Sequence, residues 1–105
     1  MTLDAKLVQT IVERVTRVAR PDRMLLFGSV ARGMATEDSD VDLLVLESDV
    51  GHSRAESIRI RRSLRGLGVP FDVIVMKTSW FETTKDVVGG LAYPAHREGK
   101  VIYAA

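Results

Sequence analysis

A chain of 105 residues can build one hydrophobic core but not two, so any functional groups must share one scaffold over residues 1–105. Its composition, 46% hydrophobic and 28% charged, excludes a disordered or low-complexity polymer, and a net charge of +1 gives no bulk electrostatic case for nucleic-acid binding. The absence of cysteine removes disulfides and thiolate metal sites.

The N-terminus lacks a basic segment followed by an apolar one, and no run approaches a membrane span, so a cytoplasmic location without a membrane partner is expected. Over 3–19, Leu7, Val8, Ile11, Val12, Val15, Val18 and Ala19 recur at helical spacing, with Glu13, Arg14 and Arg17 on the other side. Pro21 ends that amphipathic helix. The apolar run 24–27 reads as a buried strand that leads directly into Gly28 and Ser29. A second strand over 40–46 alternates Val41, Leu43 and Val45 with Asp40, Asp42 and Leu44.

Ile60, Leu64 and Leu67 are helically spaced within 53–67, with Gly66 and Gly68 as stop signals before Pro70. A third strand, 71–76, sets Phe71, Val73 and Val75 against Asp72, Ile74 and Met76. Ser79 and Glu82 fit a capping box opening a helix to about residue 88, with Trp80 and Phe81 as core or staple residues. A short helix ending near Glu98 despite Pro94, then a closing strand over 101–103 with Tyr103 in the core, completes the reading.

Asp40 and Asp42 project from one strand face roughly 7 Å apart along the backbone. Two ionised carboxylates about 4 Å apart repel by roughly 4 kcal/mol at an effective dielectric near 20, so crowding them calls for a cation. With oxygen ligands and no nearby His or Cys, the pair suits Mg²⁺ or Mn²⁺ rather than zinc. Gly28 and Ser29 follow a strand, where free backbone N–H groups can meet a phosphate; Arg32 adds a cation and Gly33 a sharp exit. The segment has neither a Walker A ending nor a dinucleotide-binding glycine fingerprint.

Gly28-Ser29-x-Ala31-Arg32-Gly33, five residues, then Ser39-Asp40-x-Asp42-Leu43 resembles the signature of minimal nucleotidyltransferases of the DNA polymerase beta superfamily. The ending Glu98-Gly99-Lys100-Val101-Ile102-Tyr103 is also similar to that family, so the resemblance covers most of the chain. It implies an α/β (α+β) nucleotidyltransferase fold with a mixed sheet flanked by helices. It also implies a nucleoside triphosphate bound through two metal ions held by Asp40, Asp42 and a third carboxylate, the place that Asp72 takes. By that resemblance Asp72 ligates the nucleophile-side metal and accepts the proton of the attacking hydroxyl, while Gly28, Ser29 and, less directly, Arg32 hold the departing phosphates.

Taken alone, Asp40 and Asp42 fit a solvated strand end, and it is the glycine turn ahead of them that favours a site. His52 and His96 lack ligand-spaced neighbours and receive no catalytic role. Arg54, Arg59, Arg61, Arg62 and Arg65 read first as a solvated helix face, with RNA, an acidic partner or the triphosphate as alternatives.

The small size resembles that of minimal nucleotidyltransferase antitoxins paired with HEPN toxins, which implies AMP transfer from ATP to a toxin tyrosine and a homo- or hetero-oligomer. An antitoxin that only masks its partner, and transfer to RNA or a small molecule, are the alternatives.

Overall fold

The computed structural model describes residues 4–28 and 39–105. Helix α1 runs Ala5–Val18, capped by Asp4, whose Oδ1 accepts the Leu7 N–H at 2.7 Å. Strand β1 is Arg23–Phe27, β2 is Val41–Glu47, helix α2 is Ser53–Ser63 and β3 is Phe71–Lys77. Helix α3, Thr78–Thr84, and helix α4, Ala92–Glu98, precede strand β4, Lys100–Ala104. The four strands form one mixed sheet in the order β3-β2-β1-β4. β1 is antiparallel to both β2 and β4, whereas β2 and β3 are parallel, joined by the crossover through α2.

Strand alternation divides the core between the two sheet faces. Met24, Leu26, Val41, Leu43, Val45, Phe71, Val73 and Val75 face Ile11 and Val15 of α1 and Ile60 of α2, together with Leu64. On the opposite face Leu25, Leu44 and Leu46 are covered by Phe81 of α3 and by Ala92 and Ala95 of α4. A bulge between Met24 and Leu25 in the pairing to β4 shifts the register so that Ile102 and Tyr103 both pack against the first cluster. No helix among the described residues is long and apolar enough to cross a membrane.

Four local expectations are corrected. α2 ends at Ser63 rather than near residue 67, and the chain continues through turns containing Gly66 and Gly68, both at positive φ. Arg14 Nη1, reaching from α1, donates to the carbonyls of Ser63 (3.1 Å) and Arg65 (2.9 Å) and so satisfies that helix end.

The capping box at Ser79 does not form. α3 begins two residues earlier than that box requires, with Lys77 as an N-cap that makes no side-chain bond, and Glu82 instead pairs with Arg23 and Lys85. α3 stops at Thr84, leaving Val87 and Val88 exposed. Trp80 is 59% exposed, because a single-faced seven-residue helix gives its core position to Phe81, which is fully buried.

Pro94 is accommodated in the first turn of α4, where its missing N–H has no intrahelical partner to lose. Gly99 caps that helix through its N–H to the Ala95 carbonyl at 2.9 Å. A Cβ at Gly99 would lie 2.2 Å from the Ala95 carbonyl oxygen and 3.1 Å from that of Leu26. Gly99→Ala is therefore expected to force α4 away from β1 and lower stability by roughly 1–3 kcal/mol, read as a reduced urea midpoint.

Candidate active site

The second sheet face is only partly covered. α3 and α4 roof Leu44 and Leu46, with Ile74 and Met76 packed alongside, but Asp42 and Asp72 lie farther along the same face. Pairing places Phe27 of β1 opposite Asp42, and Asp42 beside Asp72 of β3. Neighbouring strands are about 4.8 Å apart, so these two carboxylates sit side by side across the parallel ladder. Asp40 precedes β2 on the same side by parity and is exposed; Asp72 is exposed and Asp42 half-buried.

Gly28 follows β1 directly and adopts φ +73°. A Cβ there would lie 2.2 Å from Asp42 Oδ2, so only glycine lets the backbone and this carboxylate meet. The structure therefore brings together Gly28, Asp42 and Asp72, with Asp40 at the entrance to the strand. Ser29 and Arg32 lie outside the described residues.

The Asp42 carboxyl is held above its ordinary range, first by burial and then by the charges of Asp72 and Asp40. Such a group gains from a nearby cation. Among the described residues no three carboxylates converge into a ready-made metal cage. Magnesium commonly uses one or two protein carboxylates and fills the remaining positions with water and substrate phosphates, which the Asp42–Asp72 pair fits.

A carboxyl of a different kind occupies the far end of β2, and nothing in the hydrophobic alternation announced it. Glu47 is 5% exposed, and its Oε1 has no partner among the described residues. Burial, then a hydrogen bond to Glu56 and that residue's charge, push Glu47 up to about 7; Arg59 acts against the rise and Asp22 adds to it. The folded state thus holds a proton that the unfolded chain releases above about 4.5. The associated stability is complete below that value and lost as pH rises through about 7. The melting temperature is expected to fall between about pH 5 and about pH 8, and Glu47→Gln to flatten that dependence and be the more stable protein at the upper end.

His52 caps α2, its Nδ1 accepting the Ala55 N–H at 3.2 Å. His96 stands edge-on to Phe81 with ring centroids 6.2 Å apart.

The model of the nucleotidyltransferase domain family matches residues 6–93. No curated protein matches the chain. Among solved structures, one chain of a toxin–antitoxin complex with AMP-PNP superposes with a TM-score of 0.72 at 19% identity, covering 93% of this chain and 73% of that one. A second neighbour belongs to a complex of a tri-AMPylated Shewanella oneidensis HEPN toxin with its MNT antitoxin; its TM-score is 0.60 at 17% identity, with coverage of 93% and 70%. A third, described as a minimal nucleotidyltransferase, is 30% identical with a TM-score of 0.60, covering 89% of this chain and 86% of that one.

Proposed function

The chain belongs to the nucleotidyltransferase domain family, and from that premise we propose that it is an antitoxin that transfers AMP from ATP to a tyrosine hydroxyl of a partner HEPN-type toxin. The observation that carries the chemistry is the alignment of Asp42 with Asp72 across β2 and β3, beside a backbone position that only glycine can fill. The choice of acceptor is supported by the structural neighbours, one crystallised with AMP-PNP and one with an AMPylated HEPN toxin.

In the proposed reaction the acceptor oxygen bonds to the α-phosphorus of ATP and the bond to the bridging oxygen of pyrophosphate breaks. Asp72 receives the acceptor proton, and pyrophosphate carries away the displaced electron pair. Asp40, Asp42 and Asp72 are the residues that would hold two Mg²⁺ ions, which supply charge neutralisation on the phosphates and acidify the acceptor hydroxyl when bound. Gly28 leaves room for phosphate oxygens next to Asp42, and Ser29 and Arg32 are assigned as further phosphate donors.

The test is intact-mass analysis of a candidate HEPN-type partner toxin after incubation with this protein, ATP and Mg²⁺. AMP-sized mass additions are expected. An unmodified toxin, or modification undiminished by Asp42→Ala, would sink the reading, and neutralisation that survives Asp40→Ala/Asp42→Ala in a folded protein would point instead to masking.

A further inference from the structure

Strand order gives the candidate site a direction. Gly28 lies at the end of β1, Asp42 on β2 and Asp72 on β3, so the phosphate side and the proposed proton acceptor flank a central carboxylate. β3 is the edge strand of the sheet, and beyond it, on the side away from Gly28, the surface is grooved.

A cavity of about 280 Å³ is bounded by Arg54, Ser57, Ile58 and Arg61 of α2 and by Asp72 and Val73 of β3. A second cavity, of about 560 Å³, shares Ile58 and Arg61 with the first and continues past Arg62 and Arg65 to Phe71. Residues 54, 57, 58, 61 and 62 form one stripe along α2 at helical spacing and Arg65 extends it in the turn just past the helix, so the two cavities share a wall and make one channel that ends at Asp72.

The charges of this stripe are uncommitted. Arg59, which lies off the stripe, is paired with Glu56 and also donates to the Val18 carbonyl. Among the described residues Arg54, Arg61, Arg62 and Arg65 are exposed and none of them forms an ion pair. Clustering four guanidinium groups along one wall of the channel is repulsive unless an anionic partner shares it. β3 pairs only with β2 among the described residues, so its outer backbone edge can accept an extended segment. A chain laid along that edge passes Asp72.

The geometry points to this channel as the acceptor subsite, taking an extended, acidic polypeptide segment whose carboxylates meet Arg54, Arg61, Arg62 and Arg65 as its hydroxyl reaches Asp72. This rests on the proposed transfer to a protein acceptor. Single-stranded RNA fits the channel less well: the aromatic ring lining it, Phe71, is 9% exposed and offers no face for base stacking.

Fluorescence anisotropy on the full chain tests the proposal, using a labelled glutamate-rich peptide with one central tyrosine, its lysine-rich counterpart and labelled oligouridylate. The acidic peptide is expected to bind roughly tenfold or more tightly than either of the others, and more weakly as salt rises. Arg61→Glu/Arg65→Glu should reduce that affinity at least about tenfold, while Arg17→Glu on the exposed side of α1 leaves it unchanged. Circular dichroism checks folding, and Arg61→Gln/Arg65→Gln carries the same comparison if charge reversal disturbs α2. Equal binding of the two peptides, tighter binding of oligouridylate, or affinity unchanged in both double variants overturns the proposal. The assay contains no nucleotide, so a missing channel (no peptide binding, toxin still modified) and a missing transferase (peptide bound, toxin unmodified) give opposite results.

Discussion

Asp42→Asn is expected to lower nucleotide transfer by at least about 10²–10³-fold while leaving a folded and, without divalent metal, more thermostable protein. The first half follows from position. Asp42 is the middle carboxylate, opposite Phe27 and beside Asp72, and it is the one whose oxygen closes against Gly28. The second half follows from charge, since a half-buried carboxylate that feels Asp40 and Asp72 is a local cost to the fold, and an amide of the same shape removes it. Melting curves recorded with chelator and then with Mg²⁺ separate the two effects. Mg²⁺ should raise the melting temperature of the unsubstituted protein through mass action and do so much less for the variant. Equal responses to Mg²⁺ would show that Asp42 does not help to hold a metal ion.

Gly28→Ala should be nearly as damaging to transfer, roughly 10²-fold or more, by a route that involves no charge. The added Cβ falls 2.2 Å from Asp42 Oδ2 and 3.1 Å from its Cγ, so the carboxylate must move or the turn must open. The backbone at φ +73° also strains any residue with a Cβ, by about 1–3 kcal/mol. Gly68→Ala separates these causes, because Gly68 has nearly the same conformation, φ +81°, but nothing within 4 Å of its notional Cβ. That variant should lose comparable stability in urea melts and keep full transfer activity. If both variants lose activity alike, the contact with Asp42 is not what matters at Gly28.

The parts of the site that could be read from the sequence are those governed by strand parity. Alternation of Asp40, Asp42 and Leu44 with Val41, Leu43 and Val45 places the acidic positions opposite the α1–α2 core, and the same logic at Phe71, Val73 and Val75 brings Asp72 to the same face. Gly28 ends β1 against Asp42, where the turn signal put it, although the continuation at Ser29 and Arg32 falls outside the described residues.

Features set by distant partners were not legible. Ser79 and Glu82 have capping-box spacing, but Arg23, far away in sequence, claims the glutamate. Glu47 lies just past the apolar alternation over 40–46, and nothing in that pattern shows that α2 brings Glu56 over it. Arg14 looks like a solvated helix residue and instead closes the end of another helix. The arginine stripe was visible as composition, but its relation to Asp72 depends on β3 lying at the sheet edge.

The parallel pairing of β2 with β3 also makes the site a reporter of folding fidelity. A slip of one residue would turn Asp72 into the hydrophobic layer now filled by Val73 and expose that valine in its place. Because the pairing is made through a helical crossover, it closes a long loop and belongs to the slow part of assembly. Recovery of nucleotide transfer after dilution from denaturant should therefore lag behind recovery of helical content, as misaligned chains wait to find the one alignment that joins the two carboxylates.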